Sequence, residues 1–196
     1  MKVIGITGGV GAGKSTVLDI IKNICNCYIL IADEVAHEIE KSGNECFERL
    51  VELLSKDILG DDGEINKQAM ATKMFADPEL VTKVNQIVHP MVKSYILEKI
   101  EEKRNEAAVD FFFIEAALLI EDGYKNICDE LWYIYADEEV RVKRLVESRG
   151  YSLEKIRNIM DKQCSEETFR TECAYIVENN GDLKITSRQI RDRLGL

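Results

Sequence analysis

The chain has 196 residues, of which 45% are hydrophobic and 32% charged; that is enough for one large domain, or one domain with an insertion, and it excludes disorder as the main state. Lys and Arg number 26 against 36 Asp and Glu, a formal charge of −10, the wrong sign for a broad nucleic-acid surface, so any anionic ligand must be gripped locally. The most apolar stretch, Phe111 to Ile120, contains Glu115 and is bounded by Asp110 and Glu121, too short and too charged to span a bilayer. No signal-peptide pattern follows Met1, so a cytoplasmic location is expected, with neither membrane nor nucleic acid as partner. The six cysteines form no CxxC pair and only two histidines accompany them, so reduced thiols are expected rather than a zinc site.

Val3 to Thr7 is a β-prone run ending in glycines, and after Lys14 the apolar residues Val17, Leu18, Ile20, Ile21 and Ile24 recur at helical spacing. This reads as strand, loop, helix. Tyr28 to Ala32 is a second strand stopping at Asp33, with a short helix after it that ends near Gly43. From Asn44 to Arg104 the pattern is almost wholly helical, with a turn at Gly60-Asp61-Asp62-Gly63 and helices opening near Asn66 and Pro78. Val81, Val84, Val88, Met91 and Tyr95 mark one buried face, and Pro90 predicts two helices meeting near His89-Pro90.

Asp110 to Ile114 is the third strand, with Glu115 at its end. Leu131 to Tyr135 is the fourth, followed by a helix that Asp137 can cap; Tyr175 to Val177 is the fifth, before Asn180-Gly181 and a last helix through Arg193. Strands alternating with helices imply an α/β fold around a parallel sheet.

Gly8-Gly9-Val10-Gly11-Ala12-Gly13-Lys14-Ser15 fits GxxxxGK[ST] in full and lies between a strand and a helix, the P-loop context. Its backbone N–H groups and the positive end of the following helix suit phosphate oxygens, Lys14 reaches the β- and γ-phosphates, and the Ser15 hydroxyl suits Mg²⁺. A nucleoside triphosphate is therefore the expected ligand. Absence of an NKxD guanine signature and the short chain favour a small-molecule kinase over a GTPase or a motor. Arg141 and Arg144 lie three apart on one helix face, with Ser148 and Arg149 beyond; they suit charge on a transferred phosphoryl group, or simply a solvated face.

With these residues in place, the chain resembles the bacterial dephospho-coenzyme A kinase family almost end to end. The resemblance rests on Ile6 to Ser15, Ala32-Asp33 with Ala36, Phe75-Ala76 with Pro78, His89-Pro90, Leu118-Leu119-Ile120-Glu121, Arg144 with Arg149, Gln163, and Asn179-Asn180-Gly181. It implies transfer of the ATP γ-phosphate to the ribose 3′-hydroxyl of dephospho-CoA, the last step of coenzyme A synthesis, with Mg²⁺. It also implies a P-loop NTPase-type five-stranded parallel sheet formed by residues 1–43 and 108–196, a helical CoA-binding insertion at 44–107, and a lid at about 144–165.

By the same resemblance Asp33 orients or deprotonates the acceptor hydroxyl, although a helix N-cap also suits an aspartate there. Gly9, Val10, Gly11, Ala12, Gly13, Lys14, Ser15 and Thr16 hold the nucleotide, Arg144 covers its β/γ-phosphates, and Asn179 lies near adenine. His37, His89, Leu118 and Glu121 fall on the acceptor side, although a histidine before proline is more often a hydrogen-bonded structural residue. The chain departs from the family pattern at Ala117, where proline is usual; at Glu115, usually aspartate, whose longer side chain can still reach a Mg²⁺-bound water; at His37, often arginine; and at Cys173-Ala174, usually Ala-Asp. Another small nucleoside or nucleotide kinase, or a regulatory module that binds nucleotide without efficient transfer, are the rival readings.

Overall fold

The computed structural model describes residues 1–196. The chain divides into two compact units, Met1–Leu30 with Lys103–Leu196, and Ile31–Glu102.

The first unit is built on a sheet of β1 (Lys2–Thr7), β2 (Cys27–Ile31), β3 (Phe111–Glu115), β4 (Glu130–Tyr135) and β5 (Tyr175–Glu178), in the order β2-β3-β1-β4-β5. β1 pairs in parallel with β3, Ile4 opposite Phe113, and with β4, Ile6 opposite Trp132; β5 joins β4 in parallel with Tyr175 opposite Trp132. Val3, Ile4, Ile6, Phe112, Phe113, Ile114, Trp132 and Ile134 are fully buried, which is why these strands read as continuous apolar runs rather than alternating ones. Phe113 meets Trp132 edge to face with ring centroids 5.9 Å apart.

Around the sheet lie α1 (Lys14–Ile24), α6 (Glu138–Arg149), α7 (Leu153–Met160), α8 (Glu166–Glu172) and α9 (Leu183–Leu194). α1 turns Val17, Leu18 and Ile21 inward, the three-and-four spacing that the sequence displays. Asp137 occupies the N-cap position of α6 but makes no side-chain cap bond. Its carboxylate instead accepts from the Tyr135 hydroxyl at 2.7 Å, and Asp137 N–H donates to Asn180 Oδ1 at 2.7 Å. The nearby phenol, a strong donor, takes the carboxylate that was expected to cap the helix.

The second unit holds α2 (Ala32–Ile39), α3 (Glu45–Leu54), α4 (Lys67–Ala76) and most of α5 (Pro78–Glu106). Asn66 caps α4 by accepting from Gln68 N–H and Ala69 N–H at 3.0 Å each. The glycine turn at 60–63 closes with Gly60 N–H donating to Glu64 O at 2.9 Å.

α5 corrects an expectation, because the helix runs unbroken for 29 residues with Pro90 inside it. The proline forfeits one backbone hydrogen bond and crowds the preceding turn, at about 3 kcal/mol. Burial of Val84 and Val88 before it and of Val92, Ile96 and Ile100 after it carries the helix across. That buried stripe also differs from the expected one: Val81 is exposed, and Met91 and Tyr95 are only half-buried.

Candidate active site

β1 and β3 lie side by side, and the connection leaving β1 runs to β2 at one edge while that leaving β3 runs the other way to β4, so a crevice opens beyond their carboxyl ends, where open α/β sheets bind ligands. The glycine-rich loop begins there. Gly11 and Gly13 take φ of 81° and 89°, left-handed values that only glycine adopts without strain. Space demands glycine too: a Cβ at Gly11 would lie 2.8 Å from Arg141 O, and one at Gly13 would collide with Asn179 Nδ2. Gly13 is the N-cap of α1, leaving the first-turn N–H groups of that helix, from Lys14 onward, without intrahelical acceptors.

Lys14 curls back over the loop, its Nζ donating to Gly8 O at 3.1 Å and pairing with Glu115 Oε1 at 3.5 Å. Glu115 is the last residue of β3 and Ser15 is exposed in the first turn of α1. A hydroxyl and a carboxylate are hard oxygen donors of the kind Mg²⁺ selects, and the carboxylate stands beside the lysine of the glycine-rich loop, so this donor set fits the ion.

Two residues brace the loop from outside. Asn179, 1% exposed at the end of β5, donates from Nδ2 to Ala12 O at 2.8 Å and accepts at Oδ1 from the Thr186 hydroxyl at 3.2 Å. Arg144 on α6 donates to the same Ala12 O at 3.3 Å and to Asn179 O at 2.7 Å.

Two further side chains reach the loop, both singled out in the sequence but neither given a loop contact there. The Val10 N–H donates to Gln163 Oε1 at 2.9 Å, and a Cβ at Gly9 would collide with Arg141 Nη1. The spacing of Arg141 and Arg144 was a signal for the second of these. Nothing in local periodicity marks the first.

Leu118, exposed, and Glu121 lie in the turns after β3. Glu121 Oε1 accepts from Cys164 Sγ at 3.0 Å; burial, followed by this carboxylate, pushes the Cys164 thiol up to about 11. The other expected residues belong to the second unit. Asp33 is exposed in the first turn of α2, where Ile31 takes the N-cap position, and His37 is exposed in the last turn of the same helix. His89 is half-buried in the middle of α5.

The dephospho-CoA kinase family matches residues 2–184. A dephospho-CoA kinase of Corynebacterium diphtheriae is 31% identical over 98% of this chain and 95% of its own length. A Thermus thermophilus crystal structure superposes with a TM-score of 0.82 at 28% identity, over 99% of this chain and 96% of that one. The fold alone is shared with a shikimate kinase from Bacteroides thetaiotaomicron, TM-score 0.54 at 15% identity over 100% and 99% of the two chains. A complete phosphate-gripping loop at the switch point of a kinase-type sheet, in a chain matched nearly end to end, identifies this protein as a member of the dephospho-CoA kinase family, which phosphorylates dephospho-CoA at the expense of ATP.

Proposed function

We propose that this chain transfers the γ-phosphoryl group of ATP to the ribose 3′-hydroxyl of dephospho-CoA, in the cytosol, with Asp33 serving the acceptor and the Gly8–Ser15 loop serving the donor. The observation that carries the reading is the family match over residues 2–184, joined to a complete GxxxxGK[ST] loop between a strand and a helix.

Asp33 accepts a hydrogen bond from the 3′-hydroxyl, aims its oxygen at the γ-phosphorus and takes its proton as the new O–P bond forms. The bond to the β,γ-bridging oxygen breaks in line with it, and ADP leaves. Lys14 follows the charge moving onto the β,γ-bridge, the loop N–H groups hold the phosphates, and Arg144 keeps a positive charge against Ala12 and Gly13. Ser15, with Glu115 acting through water, would hold Mg²⁺, which supplies neutralisation of phosphate oxygens. Residues 44–107 contribute the CoA side, including His89; His37, Leu118 and Glu121 face the acceptor; and the segment at about 144–165 acts as a lid that excludes water. Asn179 serves the adenine side of the nucleotide and holds the loop through Ala12 O.

The test is ADP release from Mg-ATP with dephospho-CoA, against no acceptor, adenosine, shikimate and nucleoside monophosphates, with the product identified by mass. Acceptor-dependent ADP together with coenzyme A is the expected result. Turnover with another acceptor alone would overturn the substrate, and release from none of them would leave a nucleotide-binding regulatory module.

A further inference from the structure

The two arginines of α6 stand at opposite ends of the phosphate loop, and their hydrogen bonding differs. Arg144 is engaged at the helix end: its guanidinium donates to Ala12 O and Asn179 O, and Nη1 lies 3.5 Å from where a Cβ of Gly13 would be. Arg141, one helix turn earlier, lies at the strand end. Its Nη1 packs on Gly9 so closely that a Cβ there would collide with it, and its Nε is buried with no hydrogen-bond partner.

The strand end of a P-loop is the end of the γ-phosphate. Lys14, the residue that reaches the β- and γ-phosphates, marks it here by placing Nζ 3.1 Å from Gly8 O, the residue before Gly9. Gln163 Oε1 adds a second marker, because it occupies the Val10 N–H at 2.9 Å and lies 3.7 Å from the same Gly9 Cβ position that Arg141 crowds. A neutral amide oxygen therefore sits on this donor, beside a guanidinium whose Nε has no partner. Buried polar groups are almost always satisfied, and an orphan in a native site calls for a functional account. A phosphoryl oxygen arriving at Val10 N–H would also come within reach of the Arg141 fork, which is shaped for two phosphate oxygens at once.

We propose that Arg141 is a second phosphate-binding arginine, contacting the γ-phosphoryl group of ATP as it is transferred, while Arg144 is anchored on the helix end of the loop through Ala12 O and Asn179 O. The inference rests on the kinase reading of the loop. It assigns the two residues different kinetic signatures, because charge develops on the transferring group and not at Ala12.

The experiment compares Arg141→Gln, Arg141→Lys and Arg141→Ala with the unaltered protein. Turnover with Mg-ATP and dephospho-CoA is measured alongside calorimetric affinity for ADP and for ADP with aluminium fluoride, a mimic of the transferring phosphoryl group. Arginines that act on a transferring phosphoryl are worth roughly 10³-fold or more in turnover. We expect Arg141→Gln to lose at least about 100-fold in kcat and a similar factor in affinity for the ADP–aluminium fluoride pair, with ADP affinity kept within about 3-fold. Arg141→Lys should recover part of the loss, and added guanidinium ion should recover part of it in Arg141→Ala. Turnover of Arg141→Gln within about 3-fold of the unaltered protein, or equal losses of affinity for ADP with and without aluminium fluoride, would overturn the proposal. Because the fluoride comparison needs no acceptor, it decides the role of Arg141 even if dephospho-CoA fails as substrate, and that failure would count against the acceptor reading alone.

Discussion

Gln163 and Val10 are 153 positions apart in the chain, yet the side-chain oxygen of the first accepts the backbone N–H of the second at 2.9 Å. Gln163 follows α7 by three residues, and its neighbour Cys164 is tied to Glu121, so one short segment is fastened to both the phosphate loop and the turns after β3. A phosphate oxygen carries more charge than an amide oxygen and is the stronger acceptor, so nucleotide should displace the Gln163 carboxamide from Val10.

Gln163→Glu puts a fixed negative charge beside the position that the phosphate must take. Affinity for Mg-ATP should fall by about tenfold or more, equivalent to about 1.4 kcal/mol, whereas Gln163→Ala, which removes the competitor without adding charge, should change it by less than about 3-fold. Calorimetric titration of both variants checks this. Equal affinities for the Glu variant and the unaltered protein would separate Gln163 from nucleotide loading.

Asp33 is exposed in the first turn of α2 and makes no cap bond. A change there has little to disturb beyond a favourable carboxylate near a helix N-terminus, so Asp33→Asn should cost less than about 1 kcal/mol of stability. On the proposed mechanism, in which Asp33 aims the acceptor hydroxyl and takes its proton, the substitution should lower kcat by about 10²–10⁴-fold, with ADP affinity unchanged. Steady-state turnover and a urea melt on the same preparation test both halves. Undiminished turnover would remove Asp33 from the chemistry.

Where sequence and structure agree, and where they part, follows from the range of the interactions. The strand, loop and α1 were legible because the strand run, glycine spacing and helical period all lie within Val3 to Ile24 and each has a local physical cause. Glu115 at the end of β3 and Asn179 just past β5 were legible as strand ends. The partners of these residues were not. Asn179 meeting Ala12, and Gln163 meeting Val10, join positions with no shared periodicity; they exist only once β5 and α7 are folded. Pro90 misled for the opposite reason: its local penalty is real, but five buried aliphatic residues on α5 outweigh it. For Arg141, spacing placed it on the same face as Arg144 but did not say which end of the loop each would meet.

The buried amide of Asn179 is shared between Ala12 O and the Thr186 hydroxyl, with Arg144 also anchored on the Asn179 carbonyl. Asn179→Ala leaves Thr186 without this acceptor and Ala12 without one of its two side-chain donors, at a cost of about 1–3 kcal/mol. For a chain of this size that is a fall in melting temperature of roughly 2–12 °C. The loop that nucleotide must find ordered is then less well held, so affinity for Mg-ADP should drop as well. Thermal unfolding with and without Mg-ADP measures both. Thr186→Val, which leaves the bond from Asn179 to Ala12 in place, should lower the melting temperature less and leave ADP affinity alone. Equal effects of the two substitutions on ADP affinity would mean that the amide does not act through Ala12.

Glu130 opens β4 with its side chain 6% exposed, paired with Lys2 Nζ at 2.9 Å and with Arg193, and accepting from Trp132 Nε1 at 2.9 Å. Burial alone would push its carboxyl up; the hydrogen bonds from Lys2, Trp132 and Arg193 together outweigh that and hold it below the ordinary value of 4.5. A carboxyl depressed by folding stabilises the native state above the unfolded pKa, and the contribution disappears as pH falls through the folded one. The unaltered protein should therefore lose stability steadily below about pH 4.5 through this group, in addition to the general acid effect on its other carboxylates. Glu130→Gln keeps the shape but not the charge, leaving the Lys2 and Arg193 cations without their buried counter-charge, and should cost on the order of 1–3 kcal/mol at pH 7. The gap between the two proteins should narrow on acidification, because below its folded pKa the native Glu130 is itself neutral. Urea unfolding at pH 7, 5, 4 and 3 follows that gap directly. Two stability curves that stay parallel across the range would show that the carboxyl is not depressed in the fold, and that the three donors around it contribute through hydrogen-bond geometry rather than charge.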